Sequence, residues 1–455
     1  MKTKVNIFLI LIMIIFFIFS MLISLSYYNI MFYSVLVSYF LALIVVNNNN
    51  YAKNIINLPT VFLAGFGVFL LGRFFAILIN SNLNNYLYCI DFIFNYCASS
   101  DQAFYLVCVL NLILIFFSLS FAVVGTVKVG VNSFKLKNNV KLFTFICLFF
   151  VLFSLYYSIE SIYKAINSGY MALYASQAEA YQSPYVLLIN SIASASLAFL
   201  YSIRERISNK FFLLIFLIYV LSLLLTVLTG SRSGFIAGLI IFLWLFYKNK
   251  KIKFHKIIIL ASITLIGLFS LDKLASFTGA REFNNTTSMS LSETLSEVIY
   301  GQGVTLMVFN TSMSTENYPL LGFLKVILPG IQGFYSFFGI DKRYQFDWSS
   351  YMTYNENKIA YDEGYGLGWS IFSDLYIISF GFLPLFCFFV YIFGLFIVKI
   401  ISKESCFNNG LIFISIIYFF ALNRGSISPY IFTLIIYIFL SIYYGTLSFK
   451  RRKIN

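Results

Sequence analysis

The sequence predicts an all-α polytopic membrane protein of about twelve transmembrane helices, with one large extracytoplasmic loop that contains short or re-entrant helices. Three observations carry that expectation. Of 455 residues, 60% are hydrophobic and 20% aromatic while only 11% are charged, and the mean hydropathy is +0.87. No water-soluble domain has an interior large enough to hide that much apolar side chain. Apolar runs near the length that a helix needs to cross the bilayer core recur along the whole chain, and lysine and arginine collect in alternate connections between them.

The first run, 6–25, follows Met-Lys-Thr-Lys but outlasts a signal-peptide core and ends without a small-residue cleavage site, so it reads as a retained helix. Further spans are expected at 28–46, 55–79, 103–127, 142–159, 185–203, 211–229, 235–247 and 257–271. After the loop at 272–369 come spans at 370–398, 408–422 and 430–447. The chain thus divides into residues 1–271 with nine helices, the loop 272–369, and residues 370–455 with three helices and a basic tail. The runs at 235–247 and 408–422 are the shortest.

Orientation follows from the basic residues, which favour the cytoplasmic side. With both termini cytoplasmic, the inner segments hold Lys2, Lys4, Lys53, the stretch from Lys128 to Lys141, Arg204, Arg206, Lys210, the cluster "KNKKIKFHK", Lys399, Lys403 and the terminal "KRRK". The net charge of +14 is then accounted for by flanks that face anionic lipid, and no nucleic-acid partner is needed. The outer loop carries Asp272, Glu282, Glu293, Glu297, Glu316, Asp341, Asp347, Glu356, Asp362 and Glu363, more than half of the chain's 17 acids. A loop of that length is usually functional. Within it, Tyr318 to Ile340 is apolar but broken by Lys325, Pro329, Gly330 and Gly333, which fits a re-entrant or interfacial helix.

Several chemistries lack material. The single histidine, His255, sits in the inner basic cluster, so neither a histidine metal site nor an outer Ser-His-Asp triad can be built. The six cysteines show no CxxC spacing; Cys108, Cys147 and Cys387 lie in spans as packing residues, while Cys89 and Cys97 share the outer loop 80–102 and could pair in an oxidising compartment. There is no phosphate-cradling glycine loop with lysine and no DxD pair, so no cofactor and no metal are expected.

The outer face is left with arginines, acids and aromatics. "TVLTGSRSGFIAGLI", from Thr226 to Ile240, places Ser231, Arg232 and Ser233 between two apolar runs. Arg281 and Arg343 lie in the large loop, and Arg424 lies in "NRGSISP" between the last two spans. Arg73 falls inside the third span, where it either faces a cavity or partner or snorkels to the headgroups. Asp374 is expected about one turn inside the tenth span, where it could partner an arginine. A guanidinium fork holds phosphate oxygens with two parallel hydrogen bonds and costs less to desolvate than an ammonium. A lipid-linked pyrophosphate suits such a rim, and headgroup anchoring is the plainer alternative for Arg232 and Arg424.

The twelve spans, "LTGSRSGFIAGLI" opening a helix, one large outer loop before the last three spans, and "EGYGLGWSIFSDLYIISFGFLPLFCFFVYIFG" from Glu363 to Gly394 together resemble the bacterial O-antigen polymerase (Wzy) family. The resemblance implies a multi-pass protein of the bacterial plasma membrane that polymerises oligosaccharide repeat units into O-antigen or capsular polysaccharide. A glycan on undecaprenyl pyrophosphate would be moved onto the non-reducing end of a new lipid-linked unit, with a chain-length regulator and a flippase as separate partners. The related O-antigen ligases usually carry a histidine in the large outer loop, and this loop has none.

In such a transfer, Arg232 and Arg281 would stabilise the departing pyrophosphate, with Arg343 and Arg424 behind them. Glu363 would take the acceptor's proton, with Asp362 and Asp347 as alternatives. Arg73, Ser231, Ser233, Arg343, Asp347, Asp362, Asp374 and Arg424 would contribute to substrate binding. "YDEGYG" also reads as a polar cap of span ten, since acids favour helix N-termini. The competing class is a lipid-linked oligosaccharide flippase; carriers usually show two related halves and midplane sites, whereas here only the second half carries a large loop.

Overall fold

The computed structural model describes residues 2–24, 31–48, 56–90, 94, 96–123, 140–168, 184–229, 232–247, 291–328, 331, 339–340, 342–403 and 405–444. Among them are eighteen α-helices and one two-stranded hairpin. The first half holds α1 (Lys2–Ser24), α2 (Met31–Asn48), α3 (Leu58–Phe69) and α4 (Gly72–Ile79), then the strands β1 (Cys89–Ile90) and β2 (Tyr96–Cys97). Next come α5 (Ser100–Val123), α6 (Val140–Ser168), α7 (Pro184–Ser202), α8 (Asn209–Leu225) and α9 (Arg232–Tyr247). The segment between α9 and the last four helices supplies α10 (Leu291–Gln302), α11 (Thr305–Ser314), α12 (Leu321–Ile327), α13 (Trp348–Glu356) and α14 (Lys358–Asp362). The chain then runs through α15 (Ile371–Ile378), α16 (Leu383–Ile401), α17 (Cys406–Leu422) and α18 (Ser428–Tyr443).

Five of these helices, α1, α2, α5, α6 and α16, are long and apolar enough to cross a membrane, and α3 with α4 forms a sixth candidate bent by 60°. The apolar segments in α7, α8, α9, α17 and α18 are shorter, at 10–17 residues. The expected span at 257–271 lies outside the described residues. Two expected spans are interrupted. At the first break, Leu70 and Leu71 both donate to the Phe66 carbonyl, and α4 turns off to pack on α10. That contact needs bare backbone: a Cβ on Gly72 would press on Ile299 and Gly303, and one on Gly303 would strike Arg73. At the second, Phe380 (φ 54) and Gly381 (φ 70) turn the chain between α15 and α16, so the full-length helix begins only at Leu383.

Lipid offers no hydrophobic drive for helices to associate, so close packing and polar ties carry the bundle. Along α7, buried Ser191, Ala193, Ser194, Ala195, Ser196 and Ala198 present small side chains where α17 and α18 approach. Asn111 on α5 accepts from Ser38 Oγ at 2.7 Å and donates to Ser34 Oγ at 3.0 Å, which pins α2. The Ser415 and Tyr430 hydroxyls meet at 2.8 Å, and so do those of Tyr418 and Thr433, tying α17 to α18. On α6, Leu142, Phe145, Phe149, Tyr156 and Tyr163 are exposed along one flank, as a lipid-facing stripe would be.

Helices α11 to α13 form a cap with its own small core. Val308, Val326, Trp348, Met352, Trp369 and Ile377 cluster there, with Tyr318 and Phe323 packed against them. α12, the described helix of the expected re-entrant stretch, is seven residues long and too short to span.

Candidate functional site in the cap

Between α4 and α5 the chain forms a hairpin closed by a Cys89–Cys97 disulfide, with Cys89 paired to Cys97 in antiparallel register. Arg73 holds it in place. The side chain is 4% exposed, its Nη1 donates to the carbonyls of Leu87 at 2.9 Å and Cys89 at 2.5 Å, and its guanidinium lies 4.4 Å from the centre of the Tyr300 ring. Tyr300 in turn donates its hydroxyl to the Tyr86 carbonyl. Of the two alternatives for an arginine at this depth, the structure shows the partner: loop carbonyls and an aromatic face. On the hairpin's other side, Tyr96 accepts from Asn310 Nδ2 at 3.0 Å and donates to Gln102 Oε1 at 3.2 Å.

Asp347 is the electrostatic centre of the cap. Its Oδ1 caps α13 by accepting from Ser349 N at 3.1 Å, and its Oδ2 accepts from Arg343 Nε at 3.1 Å and from Lys325 Nζ. Burial pushes this carboxyl's proton affinity up, but the charges of Lys325 and Arg343 outweigh it and hold the group well below the usual carboxylate range. Two cations on one anion leave a positive charge at this point of the surface.

Asp374 joins the cap to the bundle. Trp369 Nε1 donates to its Oδ1 at 2.7 Å, and the backbone N–H of Ile427 donates to its Oδ2 at 2.7 Å. The Ser426 side chain adds a third hydrogen bond to this carboxylate. Arg424, on the same connection as Ile427, donates to Gln302 Oε1 at 2.9 Å and lies 5.7 Å from the centre of the Phe69 ring. Gln302 ends α10, so Arg424 sits at a helix C-terminus, where a cation is favoured.

Asp362 and Glu363 are exposed where α14 ends. Tyr365 N donates to Ala360 O and Gly364 N to Tyr361 O, both at 2.9 Å, with Gly364 at φ 87. This Schellman stop makes "EGYG" the end of a loop helix and not the N-terminal cap of span ten. Acids are electrostatically disfavoured at a helix C-terminus, so helix stability does not account for this pair.

A cleft of about 70 Å³ opens beside them, lined by Arg343, Ser349, Ser350, Thr353, Tyr361, Gly364, Tyr365 and Gly366. The structure thus gathers Arg343, Asp347, Asp362 and Glu363 into one region, and places Asp374 and Arg424 along the seam with the bundle. Arg73 belongs to the hairpin clamp. Arg232 and Ser233 open α9, although their side chains, like all of Ser231 and Arg281, lie outside the described residues. Lys325, Tyr361, Ser349, Ser350 and Thr353 are additions that the sequence did not single out as ligands. One cue was present: aspartate followed by two serines in "FDWSSYMTY" is a helix start. Among the described residues there is no cluster of three or more metal-ligating side chains.

No curated protein and no solved structure is detectably similar to this chain. The family described as O-antigen polysaccharide polymerase Wzy matches residues 5–453, nearly the whole chain. A predominantly helical, multi-pass architecture accords with that match, and the chain belongs to the O-antigen polysaccharide polymerase Wzy family.

Proposed function

We propose that this chain joins oligosaccharide repeat units carried on undecaprenyl pyrophosphate, at the outer face of the bacterial plasma membrane. The acceptor unit's hydroxyl oxygen attacks the donor's anomeric carbon. A new glycosidic C–O bond forms, the bond to the pyrophosphate breaks, and undecaprenyl pyrophosphate leaves with the electron pair. The proton of the attacking hydroxyl passes to a carboxylate.

The observation that carries this reading is the cap itself, where one polar region brings together a net positive ion cluster, two exposed carboxylates and a hydroxyl-lined cleft. Glu363 is the better base. Asp347, clamped by two cations and held well below the usual range, is a poor proton acceptor at neutral pH, which leaves Glu363 with Asp362 as its neighbour. Arg232 and Arg281 would take the departing pyrophosphate, with Arg343 and Arg424 as further cations, and Ser231 and Ser233 would add donors. The Cys89–Cys97 disulfide supports an outward-facing cap, since disulfides persist in oxidising compartments.

The test is the length of surface glycan, read as a gel ladder, in a strain lacking this gene and complemented with wild type, Arg232→Ala or Arg232→Lys. The reading expects one-unit glycan in the deleted strain and failure of both variants at normal membrane levels. Loss of even one-unit glycan in the deleted strain would make a flippase the better answer. A full ladder from Arg232→Ala would make that arginine a headgroup anchor.

A further inference from the structure

Helix α12 turns two different flanks to its surroundings. Phe323 and Val326 pack into the core of the cap and Lys325 reaches Asp347, while Leu320, Leu324, Ile327 and Leu328 are exposed. These four are spaced i, i+4, i+7 and i+8, so they line one flank of the helix and its two caps. Leu320 is 76% exposed. Contiguous apolar surface left open in this way marks a place where something docks.

The spanning helices set the level of this flank. α16 has 19 residues, a rise of about 28 Å that nearly matches the hydrocarbon core, so its first residue, Leu383, lies at one membrane boundary. α12 is fastened there twice. The Phe323 ring lies 5.5 Å from that of Phe380 in the turn before α16, and Ser428 Oγ, on the first residue of α18, donates to Lys325 O at 3.1 Å. The turn itself presents aromatic rings. Phe380 is 78% exposed at φ 54, a conformation that a bulky side chain rarely adopts, and Phe382 is exposed beside it. Phe388 and Ile392 continue the exposed apolar surface along α16, where lipid is the solvent.

We propose that α12 is a monotopic anchor: Leu320, Leu324, Ile327 and Leu328, together with Phe380 and Phe382, rest among the acyl chains at the boundary of the leaflet where α16 begins. Bilayer lipid is the occupant because these side chains protrude and their surface runs on from a spanning helix. A helix lying in the interface buries its apolar face about 5–10 Å deep and keeps its polar face toward water. Lys325 belongs to that second face, so its cluster with Arg343 and Asp347 is held within about 10 Å of the lipid, one helix diameter. The cap is thereby kept at headgroup level. This inference goes beyond the polymerase reading and does not depend on it.

The test is photolabelling of full-length protein in nanodiscs of phosphatidylethanolamine and phosphatidylglycerol, a fraction of which carries a diazirine on the acyl chain near its carbonyl. Adducts are mapped to single residues by mass spectrometry. They should fall on Leu324, Ile327, Leu328, Phe380 and Phe382, as on Phe145 and Phe149 of α6, and be lost at Asp362 and Glu363. Changing both Leu324 and Ile327 to Glu, at exposed positions, should abolish the α12 adducts and leave those on α6 and at Phe382. If that variant misfolds, the wild-type map decides alone. Labelling of α6 without α12 in wild type would mean that another segment or a second copy covers this flank, and overturns the proposal. Equal labelling of Glu363 and Leu324, or of α12 in wild type and the folded variant, overturns it too. A deleted strain that still makes a full ladder sinks the polymerase reading and leaves this map standing.

Discussion

Lys325 and Asp347, 22 residues apart in sequence, meet as an ion pair in which the carboxylate is only 5% exposed. With Arg343 on the same oxygen, the pair fastens α12 to the start of α13. Removing one partner of a buried pair leaves the other charge uncompensated, which costs about 3–5 kcal/mol. Asp347→Asn should therefore loosen the cap, seen as faster trypsin cleavage after Lys325 and Arg343 and as a change in fluorescence from Trp348 and Trp369. Unchanged cleavage would show that the pair is dispensable.

The same carboxylate makes the cap acid-sensitive. Asp347 has its folded-state proton affinity depressed, so its stabilisation is fully present above the ordinary aspartate pKa of about 3.9 and is lost as pH falls below that value. Thermal unfolding of wild type and Asp347→Asn should differ by a constant amount from pH 7 to about pH 4 and converge at lower pH. A gap that persisted at the lowest pH would point to lost packing as its source.

Arg73 clamps the disulfide hairpin through the carbonyls of Leu87 and Cys89. Arg73→Lys keeps the charge but brings one ammonium in place of a fork and loses the planar stack on Tyr300. The variant should reach the membrane, with Cys89 and Cys97 trapped by a maleimide reagent after mild reduction several times faster than in wild type. Equal rates would mean that the hairpin holds without the clamp.

Asp374 accepts on one oxygen from the Trp369 indole and on the other from the Ile427 amide. An asparagine presents one acceptor and one N–H2 group, so one of those donors must face another donor. Leaving a buried donor unmet costs about 1–3 kcal/mol. Asp374→Asn should lower membrane levels and the unfolding temperature nearly as much as Asp374→Ala; full rescue by asparagine would show that only one of the two bonds matters.

Much of this architecture was legible because its signals are local. Apolar runs located the long helices α1, α2, α5 and α6, and the one loop shared by Cys89 and Cys97 marked their possible pairing. The breaks were not legible. Leu70 and Leu71 are as apolar as their neighbours, and α4 diverges because Gly72 and Gly303 let it touch a helix that begins more than two hundred residues later. The same holds for the cap. Lys325 was readable as an interruption of an apolar stretch, but its carboxylate partner is set by tertiary folding. Glu363 stood out by its chemistry, with a cap of span ten as the rival reading of "YDEGYG"; the glycine that follows it instead closes α14.

Glu363 carries the sharpest functional prediction. It sits exposed at the end of α14, beside the cleft and four residues before Leu367, whose amide bonds Thr353 in the cleft wall. A positioned general base contributes about 10²–10⁴ in rate, and glutamine keeps the shape while removing the proton acceptor. Glu363→Gln should therefore reduce the surface ladder to one unit at wild-type protein levels, with saturable oligosaccharide binding retained because the side chain acts on the transferred proton. Glu363→Asp should recover part of the ladder, since it restores a carboxylate at a shorter reach. If Glu363→Gln gives a full ladder and Asp362→Asn gives one unit, the proton goes to Asp362. If neither variant shortens the ladder, the base lies outside this pair, and the exposed acids at the α14 terminus serve only solvation.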